Sequence, residues 1–141
     1  MKILLVEDNE ADAYLTKEAL RTGLPDSEIT VVQDGEKALA FLRQENGFAD
    51  VPRPDLVVMD LNIPRLDGFD VLTRLQDSPQ LHDIPVVILS SSPTEIDIEH
   101  AYRLGASCYL TKSMELGAYL GLGHVIAELC QRLSGNRQTN Y

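Results

Sequence analysis

The feature that most restricts the folds open to this chain is a series of short runs that are apolar at almost every position. Ile3-Leu4-Leu5-Val6, Leu56-Val57-Val58-Met59 and Val86-Val87-Ile88-Leu89 are too short for core helices and rich in β-branched residues, so they read as strands. Successive side chains of a strand point to opposite faces, so a strand that is apolar throughout must be covered on both. A sheet with one wet face is thereby excluded, and packed elements are required above and below it. Two further runs, at residues 28–32 and 107–111, complete the set; the others are placed at residues 2–6, 55–59 and 85–89.

The segments between these runs have helical periodicity. Asp8 or Asn9 caps a helix predicted over residues 10–22, with Ala11, Leu15, Ala19 and Leu20 on one face and Gly23 and Pro25 as its stop. Asp34-Gly35 opens a second helix with Ala38, Leu39, Phe41 and Leu42 as its stripe, and a polar loop, 45–54, follows. The turn Pro64-Arg65-Leu66-Asp67-Gly68 leads into a third helix over 68–77, carrying Phe69, Val71, Leu72 and Leu75. A fourth helix is predicted over 94–104 and a fifth over 115–133. The fifth has Leu116, Leu120, Val125, Ile126, Leu129 and Leu133 as its apolar positions. Its Gly117, Gly121 and Gly123 each cost roughly 1 kcal/mol relative to alanine, so it needs packing partners. Alternating strands and helices joined by right-handed crossovers give an α/β, doubly wound, five-stranded parallel sheet with five helices. The flavodoxin-like order 2-1-3-4-5 is favoured over a dinucleotide fold, since no G-x-G-x-x-G is present.

At 141 residues the chain fits one domain, placed at 1–133, with a polar C-terminal tail at 134–141 that carries no DNA-binding appendage. A formal charge of −10 argues against direct nucleic-acid contact, which depends on clustered Lys and Arg. No apolar run approaches the ~18 residues of a spanning helix. The N-terminus turns acidic at once, unlike a signal peptide, so a soluble, cytoplasmic chain with no membrane contact is expected. Cys108 and Cys130 have no metal or redox spacing and are expected to be reduced, buried and inert. His82, His100 and His124 likewise form no ligand pattern, and packing or surface roles are expected of them.

In the order 2-1-3-4-5, the carboxyl ends of strands one, three, four and five are neighbours, and that edge is where ligands bind in open parallel sheets. The chain places Glu7 and Asp8, Asp60, Ser90 and Lys112 there. Three carboxylates so close resist ionisation unless a cation neutralises them, and a hard divalent ion with oxygen ligands, Mg²⁺ or Mn²⁺, suits them. For Glu7 and Asp8 alone, a capping role for the following helix is an equal reading; Asp60 at the right strand end tips the balance to metal. Lys112 and Ser90 add an ammonium and a hydroxyl for phosphoryl oxygens. A carboxylate in such company suits nucleophilic attack on phosphorus.

Glu7-Asp8-Asn9, Asp60-Leu61-Asn62-Ile63-Pro64 with Asp67-Gly68, Ser90 and Lys112 together resemble the signature of two-component response-regulator receiver domains, over essentially the whole chain. The resemblance implies Asp60 as phosphoacceptor for a sensor histidine kinase. It implies Glu7, Asp8, Asp60 and the backbone carbonyl of Asn62 as the Mg²⁺ site, Ser90 as switch hydroxyl, Tyr109 as switch aromatic, and Lys112 as the family's lysine. Pro52-Arg53-Pro54-Asp55-Leu56, Ser92 and Cys108-Tyr109-Leu110-Thr111-Lys112-Ser113 are similar to the small regulators of phytochrome-type histidine kinases, which lack an output domain and pair through the helix-four, strand-five, helix-five face. Most receivers have proline after the lysine, with a cis peptide; Ser113 stands there, and a cis bond before it would cost ~3–4 kcal/mol.

A signalling route follows from these expectations. Phosphorylated Asp60 draws in Ser90 and Tyr109 turns into the vacated space, which couples the site to a face carrying Ile98, Tyr102 and Tyr109, where a homodimer is expected. Tyr102 and Tyr109 are expected at the surface, with core packing the alternative for Ile98. The reading is of a phosphoacceptor that promotes its own phosphotransfer and dephosphorylation, not of an enzyme with turnover. Ser92 and Asn62, bordering the site, would influence water access. A phosphatase of the haloacid-dehalogenase kind is the competing enzyme, but it typically has a second aspartate where this chain has Asn62. A flavodoxin would need a Ser/Thr/Gly-rich loop in place of Glu7-Asp8-Asn9-Glu10, and a pseudo-receiver would lack some of these residues.

Overall fold

A computed structural model describes the backbone of residues 1–139 and the side chains of residues 1–133. The elements alternate as β1 (Lys2–Val6), α1 (Glu10–Gly23), β2 (Glu28–Val32), α2 (Gly35–Arg43), β3 (Leu56–Met59), α3 (Gly68–Gln76), β4 (Val86–Ser90), α4 (Glu95–Arg103), β5 (Cys108–Thr111) and α5 (Leu116–Thr139). All strand pairs are parallel, in the order β2-β1-β3-β4-β5. Asn9, Asp34, Asp67 and Thr94 cap α1 to α4, each side-chain oxygen accepting the N–H three residues on.

Two apolar clusters sandwich the sheet, and the pleat explains why the strand runs are continuous. Leu4, Val6, Val57, Met59, Val86 and Ile88 face α2, α3 and α4, while Ile3, Leu5, Leu56, Val58, Val87 and Leu89 face α1 and α5. Fully burying such a side chain contributes roughly 1.5–3 kcal/mol. Among the described residues, no helix is long and apolar enough to cross a membrane. Of the two cysteines, Cys130 is buried, as expected, whereas Cys108 is only half-buried.

Three details depart from the sequence expectation. The helix α5 runs on to Thr139 instead of ending at 133, and Asn140 and Tyr141, the end of the expected tail, lie outside the described residues. Its buried stripe is Tyr119, Gly123, Ile126 and Cys130, whereas Leu116 and Val125 are exposed. On α1 the buried positions are Thr16, Ala19 and Leu20, while Ala11 is exposed. One contact sets both rotations: Gly123 lies against the Ala19 backbone, and Gly23 against Gly123. Helices that close turn their small residues inward and their neighbours out.

Candidate functional site

Each residue expected at the sheet edge is held there by its own backbone. The N–H of Glu7 bonds the Val32 carbonyl at 3.0 Å, that of Asp60 the Val6 carbonyl at 3.1 Å, and that of Lys112 the Ser90 carbonyl at 2.8 Å. The parallel ladders therefore continue one residue past β1, β3 and β5. The side chains of three strand ends are brought level by these bonds, which helices or loops alone would not fix.

Lys112 Nζ donates to Glu7 Oε1 at 2.7 Å, to Asp60 Oδ2 at 2.7 Å and to Asp12 Oδ2 at 2.8 Å. Asp60 is 8% exposed and Glu7 3% exposed, so these charges are largely withdrawn from water. Asp60 Oδ1 accepts the Asn62 N–H at 3.0 Å, and Glu7 Oε2 accepts the Asn9 N–H at 3.1 Å. Asp8 and Asn62 lie on the exposed lip of the site. Ser90 ends β4, wholly buried, with its Oγ accepting the Ser92 N–H at 3.2 Å. Glu7, Asp60 and Lys112 are therefore in direct contact, Asp8 and Asn62 flank them, and Ser90 stands on the adjacent strand.

Asp12 was not among the expected site residues. In the sequence it reads as an acid in the first turn of a helix, which the helix dipole favours without any further role. Its spacing of one turn from Asp8, on the side of α1 that meets α5, was the available signal.

Burial pushes the Glu7 carboxyl above its ordinary value near 4.5, and the bonds from Lys112 and Asn9 only partly offset this. Burial alone would lower the Lys112 ammonium, but the bonds from Asp12, Asp60 and Glu7 outweigh it and push the group up, so it stays charged across the biological range. A carboxyl raised in the folded state contributes stability below its unfolded value, and that contribution is lost as pH rises through the folded value. Denaturation of the wild type and Glu7→Gln in chelator, from pH 4.5 upward, is expected to show the wild type losing ground to the variant as pH rises. A difference that is flat or grows the other way would show that burial does not govern Glu7.

The switch residues differ from expectation in one respect. Tyr109 is buried and not at the surface: its hydroxyl donates to the Ser92 carbonyl at 2.7 Å, and its N–H bonds the Tyr102 phenol oxygen at 2.9 Å. A phenol with a carbonyl within reach can be buried at little cost. Tyr102 is exposed, as expected. Ile98 packs partly against the core, and Ile96, 80% exposed, is the apolar residue that α4 presents outward. Among the described residues every peptide bond is trans, including Lys112-Ser113.

Among the described residues, no three Asp, Glu, His or Cys side chains are arranged to close around a metal by themselves. The reason is visible in the geometry: the ammonium of Lys112 occupies the space between Glu7, Asp12 and Asp60. The donor set still fits a hard cation, which takes one or two carboxylates and otherwise keeps water or phosphoryl oxygens. Asp8 and Asp60 would supply the carboxylates. The oxygens of Glu7 and of Asp60 are all engaged with the protein, Asp60 through the Asn62 N–H and Lys112, so a cation would share Asp60 with these donors.

Known proteins resemble the chain over the same residues. Response regulator Rcp1 of a Synechocystis strain is 46% identical over 114 residues, covering 81% of this chain and 78% of that protein. The phosphorylated cyanobacterial phytochrome response regulator RcpA superposes with a TM-score of 0.85 at 46% identity, over 90% of this chain and 91% of its own. The Mn²⁺-bound form of Rcp1 gives a TM-score of 0.82 at 42% identity, over 89% and 90% of the two chains. The response regulator receiver domain pattern matches residues 3–120, and with these relatives it settles the family: the chain is a response regulator receiver domain.

Proposed function

We propose that in the cytoplasm Asp60 accepts a phosphoryl group from the phosphohistidine of a sensor kinase of the phytochrome type, and that the transferred group changes the α4, β5 and α5 face. The observation that carries this reading is the pair of contacts on Asp60: Asn62 N–H on Oδ1 and Lys112 on Oδ2 hold a nearly buried carboxylate at the open edge of the sheet. The likeness to RcpA and Rcp1 supports a phytochrome-type donor.

In the transfer, an Asp60 oxygen forms a P–O bond as the P–N bond of the donor breaks, and the electron pair leaves on the imidazole nitrogen. Lys112 stabilises charge on the phosphoryl oxygens where it develops. A divalent cation held by Asp8, Asp60 and the Asn62 carbonyl, with Glu7 behind them, would supply further neutralisation of that charge. Hydrolysis, in which water attacks phosphorus and the P–O bond to Asp60 breaks, returns the carboxylate and inorganic phosphate. The chain promotes both steps on itself.

The output route follows hydrogen bonds. Ser90 Oγ holds the Ser92 N–H, the Ser92 carbonyl holds the Tyr109 hydroxyl, and the Tyr109 N–H holds the Tyr102 phenol. When Ser90 turns its hydroxyl to a phosphoryl oxygen, Ser92 is released, and Tyr109 and α4 can shift together. Two copies would then pair through Tyr102, Ile96 and the neighbouring surface of β5 and α5.

Acetyl phosphate with Mg²⁺ is expected to add one base-labile phosphoryl group to the wild type and none to Asp60→Asn, read by intact mass. A wild type that gains nothing, or a variant that gains as much, sinks the proposal. Sedimentation of the same samples reads the pairing, and a strict monomer before and after treatment at high concentration removes the dimer.

A further inference from the structure

Asp12 holds the third position of α1, counted from its cap Asn9, and its N–H bonds the Asn9 side chain at 2.9 Å. An acid at this position ordinarily reaches back to the cap's own N–H. Here that N–H is given to Glu7 Oε2, so the Asp12 carboxylate is free to turn to Lys112. An ammonium has three donors. Lys112 gives one each to Glu7, Asp12 and Asp60.

We propose that Asp12 is a positioning residue for phosphoryl transfer, which with Glu7 takes two of the three Lys112 donors and aims the third at Asp60 Oδ2. The proposal rests on the reading of Asp60 as phosphoacceptor. Glu7 alone would leave the ammonium free to swing about a single bond. Asp12 adds a second anchor from a different element, and two anchors fix the direction of the remaining N–H. The anchor is itself well braced. Thr16 Oγ1 and the Tyr119 hydroxyl share a buried hydrogen bond at 2.8 Å, and Gly23 lies against Gly123, so α1 is fixed against the helix that follows Lys112. After transfer, Glu7 and Asp12 keep their two donors and the third remains directed at the modified Asp60.

Asp12 is 33% exposed, so its carboxylate also touches water and can be replaced without leaving a buried void. The test uses Asp12→Ala, which removes the acceptor, and Asp12→Asn, which keeps an oxygen acceptor without the charge, with acetyl phosphate as donor at saturating Mg²⁺. Thermal unfolding is measured alongside to show that both variants fold. In Asp12→Ala the maximal phosphorylation rate is expected to fall about tenfold, the equivalent of ~1.4 kcal/mol, with KM for the donor unchanged. Asp12→Asn is expected to recover most of that rate. An unchanged maximal rate in Asp12→Ala, a defect confined to KM, or an Asn variant as slow as the Ala variant overturns the proposal. A second readout is independent of phosphorylation: the ¹⁵N-labelled Lys112 ammonium is expected to give an NMR signal protected from water exchange in the wild type and lost in Asp12→Ala. Identical signals in the two proteins also overturn it. If the wild type takes no phosphoryl group, the reading of Asp60 fails, and this signal alone decides whether Asp12 orients Lys112.

Discussion

Replacing Lys112 by methionine is expected to lower stability at neutral pH by about 3 kcal/mol, because it leaves buried carboxylates without their cation. Glu7 and Asp60 each lose a bond of 2.7 Å at positions that are 3% and 8% exposed. Asp12, a third exposed, can fall back on water and adds little to the loss. The pH dependence distinguishes this cause from a packing defect. Without the ammonium, the buried Glu7 carboxyl of the folded variant holds its proton more strongly than in the unfolded chain, so stability returns as pH is lowered. A lost methylene contact would be indifferent to pH. Added Mg²⁺ should recover part of the loss by binding the folded state, which again a packing defect would not show. In the same variant, phosphorylation of Asp60 by acetyl phosphate is expected to slow by about 100-fold or more, the usual consequence of removing a preorganised donor from developing charge. Denaturant curves across pH and phosphorylation rates by intact mass check both halves. A variant as stable as the wild type at neutral pH, or one phosphorylated at the wild-type rate, would show that Lys112 is not the counter-charge of this site.

The second large effect concerns α5, where two glycines of one helix are expected to respond in opposite directions. A Cβ on Gly123 would fall on the Ala19 carbonyl oxygen, which is backbone and cannot be moved aside by a rotamer. Gly123→Ala therefore forces α1 and α5 apart and is expected to cost about 3 kcal/mol, the upper part of the range for overpacking. A Cβ on Gly121 meets nothing within 4 Å, so Gly121→Ala gains only helix propensity and is expected to stabilise by roughly 1 kcal/mol. The pair controls for itself, since the substitution and the helix are the same. The separation also reaches the site. Asp12 and Thr16 lie on α1, while Lys112 and Tyr119 flank the start of α5, so Gly123→Ala should weaken the hold of Asp12 on the ammonium as well. Thermal unfolding of the two variants checks the prediction, and equal shifts of the same sign would refute the close-approach account.

Much of the architecture could be read before any coordinate was known. Strand positions followed from runs that had to be covered on both faces, and each observed strand lies within a residue of its expected bounds. Right-handed crossovers then left few orders, of which 2-1-3-4-5 is the one found. Glu7, Asp60 and Lys112 were legible because the residue that follows a buried parallel strand has nowhere to go but the sheet's edge. Tyr109 was misplaced at the surface because a strand at the sheet margin gives no alternation signal to say which side is covered. Its burial depends on a partner carbonyl at Ser92, seventeen residues away.

The sequence by itself determined the elements, their order and which charged residues meet at the sheet's carboxyl edge, because apolar periodicity and strand ends are properties of local stretches of chain. Only the tertiary structure decided the rotation of α1 and α5 about Gly23 and Gly123, and with it the burial of Thr16 and Tyr119 and the exposure of Leu116 and Val125. Only the tertiary structure turned Asp12 from a helix-end acid into a partner of Lys112, a hundred residues on. The physical reason is the same in both cases: which side of a helix faces its neighbour is set by the closest approach of two backbones, and that contact joins residues too far apart in sequence for any local pattern to record.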